Sequence, residues 1–274
     1  MLRAIFDPDV KLLTVACPRL TRWDIPNMAA PYWRLYRNDR AGAEVRLGGR
    51  VVPLRPDRLV LIPPDTPCAS RLRRPVRHFF LHFVIRPAHR TPSPAIYSFP
   101  APAAWVSLVA EIDALLLDTA PRDLAISARA LALVHAALAR VPEAAFREAY
   151  ADPRVQAAVS ALTADLRERV DNDRLAAAAG MNTNAFIRRF RLATGETPQS
   201  FRRRRRVEEA CLMLHYSAAS IEEIASATGF CDRYHFTRAF RRLRGMGPAA
   251  FRRARDPGPA GARGRVLASG FRAP

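Results

Sequence analysis

Between residues 11 and 85 the sequence alternates short apolar runs with turn residues, a pattern that predicts β-strands. Gly48 and Gly49 separate two of the runs by two residues, which indicates a hairpin. The proline-rich segment 63–67 ends another run, because proline has no N–H to donate to a central ladder. Strands of this length and spacing predict a small barrel or sandwich. They are expected at 12–15, 32–36, 44–47, 51–54, 59–62 and 78–85.

The apolar positions change to helical spacing after the proline-rich stretch 87–102. Two amphipathic helices are predicted. The first has Trp105 and Leu116 on its apolar face, and the second, after Pro121, has Leu131 on its apolar face. Both faces are consistent with packing on the predicted strands and with forming an exposed dimer interface. The sequence does not separate these two interpretations.

A domain boundary is predicted near 141–152, because the residue before a proline is pushed out of the helical region and prolines occur at 142 and 153. The length of 274 residues allows two domains of roughly 150 residues each. We therefore expect a two-domain α+β protein, with strands and two helices over 1–145 and an all-α domain over 153–255. The Pro, Gly, Ala and Arg composition of 256–274 predicts a disordered tail.

Part of the predicted helical domain is repeated with an offset of 50 residues. Upstream the offset becomes 49, pairing Gly180 with Gly229, so the second copy has one extra residue in its turn. Keeping glycine, proline and phenylalanine in register over such a length indicates a true duplication. The pairs at offset 50 are Phe186 and Phe236, Arg188 and Arg238, Phe190 and Phe240, Arg191 and Arg241, Gly195 and Gly245, Pro198 and Pro248, and Phe201 and Phe251.

Each copy has the pattern of a helix-turn-helix. In the second copy Ser220 and Glu223 have the spacing of a capping box, Gly229 supplies the left-handed residue that ends the first helix, and Asp232 begins the next. The second helix of this copy is expected to bury Phe236, Phe240 and Leu243. In the first copy the corresponding residues are Asp171 or Asp173 as the first cap, Gly180, Asn182, Phe186 and Phe190.

The opposite faces of the two second helices carry donors suited to base edges and phosphates. Ile187 is the apolar exception, and it fits contact with a thymine methyl or looser reading by the first copy. The candidate DNA-binding residues are Asn184, Ile187, Arg188 and Arg191 in the first copy and Arg233, Tyr234, Thr237, Arg238 and Arg241 in the second.

The net charge of +19 suggests an acidic partner. The only lysine of the chain is Lys11, however, and such an excess of arginine over lysine can also come from codon bias. The local distribution is more informative, because the stretch 233–255 has eight arginines and no acidic residue. Five further arginines, 202–206, start a predicted connecting helix over 199–216. Some of them are expected to contact DNA phosphates and others to pair with Glu208 or Glu209.

A cytoplasmic location is expected, because no apolar run reaches the 18 or so residues of a membrane span and no export signal is recognised. The four cysteines show no C-x-x-C spacing and are interpreted as free, buried thiols. His78 and His82 share one strand face and are expected to line a pocket or the core rather than to bind a metal. No cofactor or metal site is expected.

The repeat resembles the DNA-binding domain of the AraC family of bacterial transcription regulators over roughly 153–254. The resemblance rests on the segment 220–225 (Ser-Ile-Glu-Glu-Ile-Ala), on Gly229-Phe230 and on 245–248 (Gly-Met-Gly-Pro), with Phe236, Arg238 and Phe240 between them. The segment 206–210 (Arg-Val-Glu-Glu-Ala) is similar to the linker helix of that family.

This resemblance implies that seven of the nine candidates, all except Arg191 and Arg241, face the bases of double-stranded DNA, with the reading helices in successive major-groove segments about 34 Å apart. It also implies a cupin-like β-barrel in the N-terminal domain for effector sensing and dimerisation. The implied function is an effector-responsive activator, acting as a homodimer that contacts RNA polymerase and binds a small-molecule effector.

Two other functions are consistent with the sequence. One is a metal-dependent cupin-type enzyme fused to a DNA-binding module, although no nucleophile motif such as G-x-S-x-G is present. The other is an architectural DNA-binding protein without sequence preference, which would bind all duplexes with similar affinity at a fixed salt concentration.

Overall fold

The computed structural model of the protein describes residues 9–86, 94–118, 120, 122–142, 145, 150, 152–253 and 265–266. The described residues divide into an N-terminal unit before Arg147, which also includes 265–266, and a C-terminal unit within Glu148–Arg255. The first is rich in β-sheet and the second is helical, in agreement with the predicted α+β class. Within the described part of the chain, no helix has the length and apolarity needed to cross a membrane.

The N-terminal unit contains all six predicted strands, and the turn at Gly48 and Gly49 joins two of them as an antiparallel hairpin in which Leu47 pairs with Arg50. Three other strands of two to four residues, at Arg19–Leu20, Ala69–Leu72 and Tyr97–Pro100, were not predicted because they are so short, and the last of them interrupts a proline-rich stretch. The strands are β1 (Asp9–Ala16), β2 (Arg19–Leu20), β3 (Trp33–Asn38), β4 (Ala43–Leu47), β5 (Arg50–Leu54), β6 (Arg58–Ile62), β7 (Ala69–Leu72), β8 (Val76–Arg86), β9 (Tyr97–Pro100) and β10 (Arg265–Val266).

These strands form two antiparallel sheets. The larger has the order β10-β1-β8-β3-β6-β9, with β2 attached to β8, and the smaller has the order β5-β4-β7. The predicted tail over 256–274 lies outside the described residues apart from β10, whose Val266 pairs with Thr14 of β1. At these two residues the structure differs from the expected disorder, because the edge of β1 offers backbone groups for pairing.

Both faces of β8 are largely buried between Phe79 and Val84, which explains why this stretch is apolar on both faces apart from His82. Phe79, Leu81 and Phe83 lie in one core with the helices α1 (Ala103–Leu117) and α2 (Asp123–Leu138). Val76 belongs to a second core. The apolar faces of the two helices therefore pack against the sheet, while Leu117 and Leu124 remain exposed, the latter by 85%.

The C-terminal unit consists of short helices around two cores. One core contains Phe201 and residues of the three helices that precede it. The other core contains Val207, Leu214 and residues of the helices that follow them. The long helix Pro198–Tyr216 therefore contributes to both cores. The helices are α3 (Pro153–Ala164), α4 (Asn172–Ala178), α5 (Thr183–Thr194), α6 (Pro198–Tyr216), α7 (Ile221–Ala227), α8 (Arg233–Arg244) and α9 (Pro248–Arg253).

Candidate nucleic-acid interface

The helix pair α4 and α5 has the local signals of a helix-turn-helix. The Asp171 carboxylate accepts a hydrogen bond from the Arg174 N–H at 2.7 Å and begins α4. Gly180 follows that helix with φ of +64°, a left-handed conformation that favours glycine. Asn182 then accepts from the Ala185 N–H at 2.8 Å and begins α5. Of the two predicted caps for α4, Asp171 occupies the position.

The pair α7 and α8 has the same arrangement. Ser220 and Glu223 form the predicted capping box, in which the Glu223 N–H donates to Ser220 Oγ and the Ser220 N–H donates to Glu223. Gly229 has φ of +80°. Asp232 Oδ1 accepts from the His235 N–H at 2.6 Å, and this bond to the ionised carboxylate lowers the pKa of Asp232 to about 2.

The duplication is visible in the packing of aromatic rings. Phe190 packs against Phe201 at an interplanar angle of 85° with ring centroids 5.7 Å apart, and Phe240 packs against Phe251 at 73° and 5.2 Å.

The prediction that Leu243 is buried with Phe240 is wrong, since Leu243 is 42% exposed. The buried pair of α8 is spaced by four residues, and Leu243 lies one position off that row near the end of the helix.

The predicted residues of α5 lie together on the surface of that helix. Arg188 and Arg191 are exposed, whereas Ile187 is half-buried and packs partly on the core. We call this surface the first reading patch. It is a shallow depression lined by Asn184, Ile187, Arg188, Arg191, Leu192, Gly195 and Thr197. Leu192, four residues after Arg188, was not predicted, because it carries no polar donor.

The predicted residues of α8 also share one surface, which we call the second reading patch. Tyr234 is 86% exposed there, although tyrosine is a large and partly apolar side chain. Arg242 was missed, and its spacing of four residues from Arg238 places it on the same face. The patch is lined by Arg233, Tyr234, Thr237, Arg238, Arg241 and Arg242.

The guanidinium groups of two arginines in the run 202–206 donate hydrogen bonds to backbone carbonyls of the same unit. Arg202 is 3% exposed and donates to the Asp165 carbonyl at 3.2 Å. Arg206 donates to the Leu166 carbonyl at 2.8 Å, and burial lowers its pKa to about 10. Their guanidinium groups therefore hold the segment before α4 against α6.

Arg204 and Arg205 form the predicted ion pairs with Glu208, each at 2.6 Å, and Arg204 also pairs with Glu196. Burial raises the pKa of Glu208, but the two arginines outweigh it and leave the pKa below its usual value. Arg203 is the exposed member of the run. Arg203 is therefore the most accessible of the five to a DNA phosphate, and the contact of this run with phosphates stays a prediction.

The two histidines of β8 are buried among aromatic rings in the N-terminal unit. His78 Nδ1 lies 2.7 Å from Asn38 Oδ1, and burial lowers the pKa of His78 to about 3. The ring of His82 lies 4.7 Å from that of Tyr32. Among the described residues, neither histidine belongs to a group of three potential metal ligands.

The cysteines differ from the expectation of four buried thiols. Cys68 and Cys211 are buried and Cys17 is half-buried, but Cys231 is exposed. Its position in the turn between α7 and α8 explains the difference, because a two-helix turn faces solvent unless another element covers it.

Comparison with known proteins places the helical unit in a family. Residues 175–254 match the family model described as a helix-turn-helix domain. The MmsAB operon regulatory protein of Pseudomonas aeruginosa is 33% identical over 85 residues, which are 31% of this chain and 28% of that protein. The helical unit is an AraC-type helix-turn-helix domain. Within this AraC-type domain the similarity includes both helix-turn-helix copies.

A further relative of the AraC-type domain is the transcriptional activator RhaS of Escherichia coli O139:H28, 35% identical over 75 residues, or 27% of each chain. The matched region is thus little more than a quarter of the length of these relatives. The crystal structure of unsaturated fatty acid bound ToxT from Vibrio cholerae aligns with 93% of this chain and 98% of its own, with a TM-score of 0.51 and 9% identity. This likeness concerns the fold, a sheet-rich N-terminal part followed by a helical one.

Proposed function

We propose that this chain is a sequence-specific DNA-binding transcription regulator, and that the first and second reading patches contact the bases and phosphates of double-stranded DNA. One observation carries the proposal: two helices related by the internal repeat each present a cluster of exposed donors, while the buried faces of both are fixed by equivalent phenylalanines. Arg188 and Arg238, at equivalent positions of the repeat, are suited to bidentate contact with guanine.

The nine candidate residues have different roles in this proposal. Arg188, Arg238, Asn184 and Thr237 reach base edges, and Tyr234 and Ile187 supply apolar contacts. Arg233 also faces the bases, and Arg191 and Arg241 grip phosphates. The second patch contains no acidic residue, because α8 has no Asp or Glu. Its arginines therefore have no carboxylate on their own helix that would compete with phosphate.

For the N-terminal unit we propose a cupin-like barrel that binds a small-molecule effector and forms a homodimer. The fold shared with ToxT, whose crystal structure holds an unsaturated fatty acid, supports a sensing role. The name of RhaS supports activation, which requires contact with RNA polymerase. A regulator of this kind acts on the chromosome, so we place it in the cytoplasm.

The proposal is tested by mapping the DNA fragments bound by the full-length protein across the genome of its host. We expect enrichment at a small set of promoter regions that share a motif with two half-sites one helical turn apart. The Arg188→Ala, Arg238→Ala double variant should lose this enrichment. Uniform occupancy that follows only DNA abundance would contradict sequence-specific regulation and favour an architectural role.

A further inference from the structure

The turn that leads into α8 brings together three side chains of different metal-ligand types. Cys231 Sγ lies 3.1 Å from His235 Nδ1 and 3.3 Å from Asp232 Oδ2, and the last two atoms are 3.3 Å apart. All three residues are exposed. Among the described residues, this is the group in which three potential ligands lie within 4.8 Å of one another.

The size of this triangle fits a single tetrahedral ion. Zinc binds sulfur at about 2.3 Å and nitrogen or oxygen at about 2.0–2.2 Å, so tetrahedral angles place neighbouring ligand atoms about 3.3–3.6 Å apart. The observed edges are equal to these values or a few tenths of an ångström shorter. Because the side chains are at the surface, small rotations about their χ angles suffice to admit the ion.

The backbone holds these residues in place without using the atoms that a metal would need. Asp232 Oδ1 accepts the His235 N–H and begins α8, whereas Oδ2 faces Cys231 and His235. The two carboxylate oxygens therefore have separate roles, and an ion bound at Oδ2 leaves the helix cap intact. Cys231 precedes α8, and the extended backbone at the cap residue Asp232 is followed by the first helical turn, which brings His235 Nδ1 to within 3.1 Å of Cys231 Sγ.

We propose that Cys231, Asp232 and His235 form a binding site for a borderline divalent transition-metal ion such as Zn²⁺, with water in the fourth position. The sulfur and imidazole donors select against Mg²⁺ and Ca²⁺, which take oxygen ligands. Binding requires the thiolate, so the thiol releases one proton to solvent as the metal–sulfur bond forms. The site adjoins Arg233 and Tyr234 of the second reading patch, but it does not depend on the proposed function.

The experiment is a titration of the full-length protein, stripped of metal with a chelator, with Co²⁺ as a spectroscopic substitute for Zn²⁺. We expect one Co²⁺ per chain at this site, a thiolate-to-cobalt charge-transfer band in the near ultraviolet, and loss of that band when Zn²⁺ is added. The variants Cys231→Ser and His235→Gln should each lower the Co²⁺ affinity by more than about 100-fold, beyond the loss typical of an outer-shell change.

Two controls sharpen the result. Asp232→Asn keeps an oxygen for the helix cap but removes the charge of the ligand, so we expect weaker Co²⁺ binding with unchanged helical circular dichroism. Cys17→Ser, in the other unit, should leave the band unaltered. Absence of the band in the wild-type protein, or its persistence in Cys231→Ser, would overturn the proposal and leave the three residues as a hydrogen-bonded helix start.

Discussion

The guanidinium of Arg206 lies 2.9 Å from the point that a Cβ atom on Gly229 would occupy. The Cα of Arg167 is 3.0 Å from the same point, and the Leu166 carbonyl oxygen is closer still. Gly229 is therefore required twice, once for its left-handed φ and once for the close approach of the backbone before α4. Gly180, its counterpart in the first copy, has a left-handed φ but no described atom within 4 Å of its hypothetical Cβ.

The first prediction compares alanine at these two glycines. Gly180→Ala adds only left-handed strain and should lower the free energy of unfolding by about 1–2 kcal/mol. Gly229→Ala also forces the neighbouring backbone apart and should cost about 1–3 kcal/mol more. Urea titration of the full-length protein, followed by helical circular dichroism, measures both. Equal losses in the two variants would show that the close approach at Gly229 is not constrained.

The second prediction concerns the arginine run in α6. Arg202→Ala and Arg206→Ala each remove donors to carbonyls of the segment before α4, so each should lower the free energy of unfolding by roughly 1–3 kcal/mol. Arg203→Ala, the matched control from the same run, is exposed and should change it by less than about 0.5 kcal/mol. The same denaturation assay distinguishes them, and a large loss in Arg203→Ala would contradict the assigned contacts.

The third prediction is a pH dependence centred on His78. Its pKa is lowered from 6.5 to about 3 by burial, so below pH 6.5 the unfolded chain binds a proton that the folded chain does not. The contribution of this group to stability is therefore present above pH 6.5 and is lost as the pH falls from 6.5 towards 3, by about 1.4 kcal/mol per pH unit.

His78→Phe is the variant that isolates this effect. It should be less stable than the wild type at pH 7, because Asn38 loses its partner, but its stability should fall less between pH 6 and pH 4. Fluorescence of Trp23, whose ring lies 4.8 Å from that of His78, reports unfolding of this unit. Parallel pH profiles for the two proteins would rule out a titrating role for His78.

The fourth prediction tests the reading patches on DNA. Arg188→Ala and Arg238→Ala should each weaken binding to a cognate site by about 1–3 kcal/mol and relax base preference at one position of the site. Arg189→Ala is the matched control, because Arg189 lies on the same helix but does not line the first patch and pairs with Asp152 instead. Titrations on cognate and random duplexes separate the roles. An equal loss on both would assign the two arginines to phosphates.

The repeat made much of the C-terminal unit predictable, because caps, left-handed glycines and buried phenylalanines are local signals that survive without tertiary information. Asn182, Asp232 and Gly229 all occupy the positions that their residue types indicate. The fate of the arginine run was not predictable in the same way. Whether Arg202 is buried depends on carbonyls some 37 residues away, which no pattern within α6 reveals.

The N-terminal unit shows the same division. The alternation of apolar runs indicated its strands, but the short β7 and β9 depend on pairing with β4 and β6 rather than on their own sequences. Cys231 was misjudged because cysteine is buried on average, whereas a turn between two helices leaves it exposed. Its spacing to His235 was the signal that could have identified the three-ligand group.

The most direct test of the account is the ratio of two dissociation constants. The wild-type protein is titrated with a duplex carrying its most enriched genomic site and with a duplex of equal length and shuffled sequence, at one fixed salt concentration. We predict tighter binding to the site by about a thousandfold or more. Dissociation constants that agree within about tenfold would contradict sequence-specific recognition by the two reading patches.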